Sequence, residues 1–201
     1  MPSIYQLKPR FQALLRPGVK RLYDRGVTAN QVTVAAALVS VLLGLLLAGF
    51  SHITWLFILI PLWMLLRMAL NAVDGMLARE FDQQSRLGAY LNELSDVIAD
   101  AALYLPFALL AGVWPSLVVL VVLSATFSEY AGVMGPLAGA SRRYDGPMGK
   151  SDRAFAFGVL GTGVAFGLLN ATWLNGLLLV IFALSLYTLY NRVRQGLVEA
   201  R

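Results

Sequence analysis

Residues 71–96 read NAVDGMLAREFDQQSRLGAYLNELSD, two runs at helical spacing joined by a short polar turn. They form the densest cluster of carboxylates, amides, arginines and glycines in a chain that is otherwise oily. Of its 201 residues 58% are hydrophobic and only 13% charged, against about 25% charge in an average soluble domain. The mean hydropathy is +0.69. This composition marks an integral membrane protein, and the polar stretch lies at the junction of two apolar segments.

Outward from that junction, apolar runs of about 20 residues suffice to cross a bilayer. Six are expected, at 31–50, 53–78, 87–111, 114–135, 153–170 and 172–192. The third carries Asn92, Glu93, Asp96 and Asp100, and the second is long enough for its last turns to project into the interface. Thirteen of the sixteen Lys and Arg residues fall before the first run, between the second and third, between the fourth and fifth, or after the sixth, and Arg153 and Arg192 are the end residues of the fifth and sixth runs on those same sides. The opposite connections, near SHIT, GVWP and NATWLNG, carry none. By the positive-inside rule both termini and the polar cluster face the cytoplasm. The net charge of +5 is therefore a topology signal and not a nucleic-acid footprint. The expected fold class is all-α, a single membrane domain over residues 1–201, with an interfacial arm at 1–29 and a six-helix bundle at 31–192.

Other features narrow the chemistry. Cysteine is absent and His52 is the single histidine, so thiolate sites, disulfides and a histidine triad have no material. A bound metal would need oxygen ligands, hence Mg²⁺, Mn²⁺ or Ca²⁺. No cleavable signal peptide is expected, because Pro2, Pro9, Pro17 and six basic residues occupy the first thirty positions. Ile4, Leu7, Phe11, Leu14 and Leu15 share one helical face, which predicts a helix lying in the headgroup layer. Ala36, Ser40, Gly44 and Ala48 form a small-residue ridge in the first run, as Gly163 and Gly167 do in the fifth.

Within the polar cluster, Asn71, Asp74 and Ala78 share one face of the first helix. Asn92, Asp96 and Asp100 share one face of the next. Ionisable side chains at such a depth are costly and read as functional. Oxygen-bearing side chains converging from two antiparallel helices suit a hard cation. Gly75 and Gly88 would let a ligand approach the backbone, and Arg79 could clamp a phosphate.

These residues resemble the CDP-alcohol phosphatidyltransferases, whose pattern is D-x2-D-G-x2-A-R-x8-G-x3-D-x3-D. Here Asn71, Asp74-Gly75, Ala78-Arg79, Gly88, Asn92 and Asp96 keep every spacing, and six of the eight positions match. VTANQVT (27–33) is similar to the Thr-Pro-Asn-x-x-Thr lead-in to that family's first helix. The resemblance implies transfer of a phosphatidyl group from CDP-diacylglycerol to a small alcohol with release of CMP, in a bacterial-type inner membrane, by a homodimer. It implies one or two Mg²⁺ or Mn²⁺ ions held at Asn71, Asp74, Asn92 and Asp96, with Asp96 as the base toward the acceptor hydroxyl. By position, Gly75, Ala78 and Arg79 would line the nucleotide, and Ser85 with Asn30–Thr33 would contact the CDP end of the lipid. Lys150 and Arg153 would meet an acceptor phosphate.

The departures from the pattern are Asn71 and Asn92, which lower the charge of the four ligand positions from −4 to −2. One metal in place of two, recruitment of Glu93 or Asp100, and a silent CDP-lipid-binding relative acting as a regulatory or scaffolding subunit all remain open. A small transporter is a further rival, without the internal repeat such proteins usually show. Arg67, the one basic residue inside a run, is placed to pair with Asp100 below the site or to supply part of a missing metal's charge. Glu129 is expected to partner an arginine of the 141–153 loop.

Overall fold

The computed structural model describes the backbone of residues 4–200 and the side chains of residues 11–200. Among them the regular elements are all helical: α1 (Ile4–Asp24), α2 (Ala29–Gly49), α3 (Leu59–Glu80), α4 (Arg86–Tyr104), α5 (Pro115–Met134), α6 (Lys150–Ala165) and α7 (Ala171–Glu199). Short 3₁₀ helices at Thr54–Ile58, Leu105–Leu109 and Gly135–Ala138 adjoin α3, α4 and α5.

Among the described residues, four stretches are long and apolar enough to cross a membrane: Ala29–Gly49, Thr54–Glu80, Pro115–Ala138 and Ala171–Glu199. Outward-facing leucines such as Leu42 and Leu65, 64% and 65% exposed, fit an apolar solvent on α2 and α3. The expected third and fifth runs fall short of the same measure of length and hydropathy. In α4, Arg86, Glu93, Asp96 and Asp100 break the apolar run. Pro106 then stands at the start of the 3₁₀ segment that follows Tyr104, where it lacks an amide hydrogen to continue the α-helical ladder. Helix α6 has 16 residues, about 24 Å against a hydrocarbon layer of about 30 Å. It stops short of residue 170 because Gly167 turns left-handed at φ +65° and the amides of Leu168 and Leu169 fold back on the Gly163 carbonyl. Gly163 and Gly167 thus close the helix and are not a packing ridge. Gly161 is the close-approach glycine of α6, with no room for a Cβ against the Phe57 carbonyl and Ile60. The expectation for Gly44 holds: a Cβ there would strike the Ala102 carbonyl.

The chain forms two compact units, Met1–Ser40 with Leu65–Ala99, and Val41–Met64 with Asp100–Arg201. In the first, Val19 of α1, Ala29 and Val32 of α2, and Val73, Met76 and Leu77 of α3 make a buried core, flanked by Leu15, Leu22, Val27, Leu70 and Phe81. Helix α1 therefore packs through Leu15, Val19 and Leu22, while Leu14, 76% exposed, and Phe11 point away. Ile4 and Leu7 of the expected apolar face lie outside the described side chains. Arg16 reaches Glu80 through two bonds of 3.0 and 3.1 Å, and Tyr23 packs on Phe81 with ring centres 4.4 Å apart. The second unit is centred on Phe57, Tyr104, Phe107 and Phe157, with Tyr104 stacked on Phe157 at 3.7 Å.

Candidate functional site

In the first unit a cleft of about 380 Å³ opens between the start of α2, the end of α3 and the start of α4. Local sequence builds its rim. The Thr28 hydroxyl accepts from the Gln31 amide at 3.2 Å, and the Gln31 side-chain oxygen accepts from the Thr28 amide at 2.9 Å. This reciprocal capping box starts α2. Ser85 caps α4 in the same sense, its hydroxyl oxygen accepting from the Gly88 amide at 2.9 Å. That bond uses a lone pair of the hydroxyl and not its hydrogen. The Gln83 side chain takes the Ala29 amide at 2.7 Å and so ties the α3–α4 turn to the head of α2.

Asp74, Gly75, Ala78, Arg79, Gly88 and Asn92, six of the eight pattern positions, line this cleft, together with Asn30, Thr33, Ser85 and Glu93. Asp74 is buried and accepts from the Thr33 hydroxyl at 2.7 Å, a short bond that fixes its carboxylate. The two glycines carve the space. A Cβ on Gly75 would lie 2.8 Å from Arg79 Nη2, so the guanidinium folds over the bare backbone one turn before it. A Cβ on Gly88 would lie 2.8 Å from Asn30 Oδ1 and 3.0 Å from Ser85 Oγ. The cleft thus offers a guanidinium, two helix N-termini and several amides, a set suited to a pyrophosphate and a polar base.

Asn71 and Asp96 stand one turn further along the same two helices. Arg67, only 4% exposed, crosses from α3 to α4 here. Its Nη2 donates to Asp96 Oδ1 at 3.2 Å and to the Asp96 carbonyl oxygen at 3.1 Å. The expected partner of Arg67 was Asp100; here Arg67 holds Asp96, while Asp100 receives Arg153.

Lys150 and Arg153 belong to the second unit and start α6, where the Asp152 carboxylate accepts from the Gly149 amide at 3.0 Å. Lys150 is half-buried. Arg153 is 1% exposed and donates through Nη2 to Asp100 Oδ2 at 3.2 Å and Glu129 Oε1 at 2.8 Å, and through Nη1 to the Met148 carbonyl at 3.1 Å. Glu129 also receives Arg192 Nη1 at 3.1 Å and lies 3.9 Å from Arg142. The expected loop-arginine partnership of Glu129 is therefore present. Arg192, buried on α7, was not foreseen as part of it, because no spacing rule links helices 60 residues apart. In the preceding loop Arg143 grips Asp145 at 2.8 and 2.9 Å and pairs with Glu199. The hydrogen bonds from Arg143 hold the Asp145 carboxyl below the usual carboxylate range.

With this geometry in view, likeness to known proteins becomes informative. The model of the CDP-alcohol phosphatidyltransferase family matches residues 26–190. The chain belongs to this family. It is 47% identical over 196 residues to the Escherichia coli (strain K12) inner membrane protein YnbA, covering 98% of this chain and 97% of that protein. A shorter match, 32% identical over 104 residues, is to the phosphatidylinositol phosphate synthase of Corynebacterium glutamicum, covering 52% of this chain and 45% of the relative. Among solved structures, Mycobacterium tuberculosis phosphatidylinositol phosphate synthase with CDP-DAG bound has a TM-score of 0.73 at 18% identity, over 90% of this chain and 92% of that one. The same enzyme in complex with manganese and citrate gives 0.71 at 18% identity, over 90% and 87%. At such identity these two likenesses bear on the fold alone.

Family membership raises the question of metal, and the donor set answers part of it. The four ligand positions supply two carboxylates and two neutral amides, and one of those carboxylates already faces a guanidinium. Among the described residues no three His, Cys, Asp or Glu side chains group so as to hold an ion. Glu93 shares the cleft wall with Asp74 without completing such a group. The residues present do not fit a two-ion centre.

Proposed function

We propose that the protein transfers the phosphatidyl group of CDP-diacylglycerol to a hydroxyl of a small alcohol, releasing CMP, at the cytoplasmic face of a bacterial inner membrane. The observation that carries this reading is the gathering of six pattern positions on one cleft, with Arg79 folded over Gly75. In the proposed complex Arg79 binds the pyrophosphate, the bare backbones of Gly75 and Gly88 let it approach, and Asn30, Thr33 and Ser85 contact the cytidine end. Holding the hydroxyl in line with the bond to be broken accounts for a large share of the rate, because the attack becomes intramolecular in effect. The acceptor oxygen forms a bond to the phosphatidyl phosphorus, the bond from that phosphorus to the CMP oxygen breaks, and the acceptor proton passes to the Asp96 carboxylate. Arg67 orients that carboxylate through Oδ1. Lys150 is retained as the cation for a phosphate-bearing acceptor, while the burial of Arg153 between Asp100 and Glu129 favours a structural role for it.

The membrane plan belongs to the same proposal. The helix α4 with its 3₁₀ extension and the helix α6 complete a six-span arrangement with both termini cytoplasmic, and α1 lies in the headgroup layer with Phe11 and Leu14 turned to lipid. Assembly as a homodimer is proposed from the resemblance. The test is incubation of purified protein with labelled CDP-diacylglycerol, Mg²⁺ or Mn²⁺ and a pool of alcohols, with CMP and new lipid measured. CMP release that depends on an added alcohol is expected. Firm CDP-lipid binding with no CMP release from any acceptor would replace this reading with that of a silent binding subunit.

A further inference from the structure

The positions at which the family pattern places four carboxylates read Asn71, Asp74, Asn92 and Asp96. Their formal charge is −2. Arg67, one helical turn before Asn71, adds +1 in direct contact with Asp96, leaving −2 + 1 = −1 where the pattern carries −4. The guanidinium is not a passing surface contact. It is buried, spans from α3 to α4, and holds Asp96 by both its carboxylate and its main-chain carbonyl. Asp74, the other carboxylate, accepts from the Thr33 hydroxyl. Hard divalent cations are held by anionic oxygens, and ligand charge sets their affinity. Amide oxygens coordinate without supplying charge. A neighbouring guanidinium repels a second cation in a region of low effective dielectric.

We propose that Arg67 is a built-in cation that stands in for a metal ion at Asp96, so that the free protein holds no divalent ion between α3 and α4. The inference rests on the phosphatidyltransferase reading only for the identity of the ligand positions. It makes Arg67 a positioning residue: it acts on the reaction through Asp96. The two asparagines and the arginine act in the same direction, since a lower ligand charge and a fixed cation both suit a centre that works with fewer ions.

The test is titration of the purified protein in detergent with Mn²⁺ alone, free ion being followed by electron paramagnetic resonance. The wild-type protein should show no saturable site tighter than about 10⁻³ M, the weak end of protein cation sites. Arg67→Gln combined with Asn71→Asp and Asn92→Asp should bind Mn²⁺ at least about tenfold more tightly, as added ligand charge raises affinity. The same two aspartates beside Arg67→Lys, which keeps the cation, should gain less. Stoichiometric, tight Mn²⁺ binding by the wild-type protein that is lost in Asp74→Asn would overturn the proposal. So would equal affinity in the Gln and Lys versions. The wild-type titration needs no variant to fold, and because no nucleotide or acceptor is present it decides the role of Arg67 whether or not the transferase reading stands.

Discussion

Replacing Arg153 by glutamine separates two roles that the sequence alone left together. If Arg153 meets an acceptor phosphate, its loss should weaken acceptor use and little else. The structure instead places it 1% exposed, bridging Asp100 at 3.2 Å and Glu129 at 2.8 Å, with a further bond to the Met148 carbonyl at 3.1 Å. Breaking a buried ion pair by removing one partner costs about 3–5 kcal/mol, because a charge is left in a poor solvent. Glu129 keeps Arg192 at 3.1 Å, which offsets part of the loss, so the low end, about 3 kcal/mol, applies. For a chain of this size that corresponds to a fall in Tm of about 6–12 °C. The assay is thermal unfolding of the purified protein in detergent, followed by calorimetry or tryptophan fluorescence. Asp100→Asn removes the other side of the same 3.2 Å contact, so the double variant should lose less than the sum of the two single losses. A Tm for Arg153→Gln within about 1–2 °C of wild type, the size expected of a surface substitution, together with a raised KM for acceptor, would refute the buried-pair argument and restore the acceptor role.

Arg79→Lys should weaken CDP binding by about 1–3 kcal/mol, since a point charge cannot reproduce a bidentate contact. Calorimetric titration with CDP measures it. Gly75→Ala should act on the same step while leaving the fold intact, because the three atoms nearest the new methyl all belong to the guanidinium end of Arg79, the closest 2.8 Å away; CDP affinity equal to wild type would remove the Gly75–Arg79 cradle from the nucleotide site. Thr33→Val deletes the 2.7 Å bond to buried Asp74 and should cost about 1–3 kcal/mol of stability, read from the same melting curves. Reporter fusions after residues 52, 113 and 172 should all give an external signal, and a cytoplasmic signal at any one would break the six-span proposal.

Much of the helical plan was determined by sequence because its causes are local. Thr28 and Gln31 are three residues apart and can cap α2 wherever that helix is placed. Pro115 begins α5 as a first-turn proline should. The cleft face was legible for the same reason, since an offset of four brings Asp74 and Ala78, or Gly88 and Asn92, to one side of a helix. The limits of α6 were less so. Its apolar run continues past Ala165, and only the left-handed turn at Gly167 with the fold-back onto Gly163 ends it. Apart from the pairing of Glu129 with the loop arginines, charge pairing was decided by tertiary structure. Arg67 lies within reach of several carboxylates by helical arithmetic, yet its bond to Asp96 depends on how α3 and α4 are rotated. Arg153 looked like a binding residue of a basic loop, and packing buried it with Glu129 and a distant Arg192. Ion-pair energy changes steeply over an ångström and with burial, quantities that spacing along a chain does not contain.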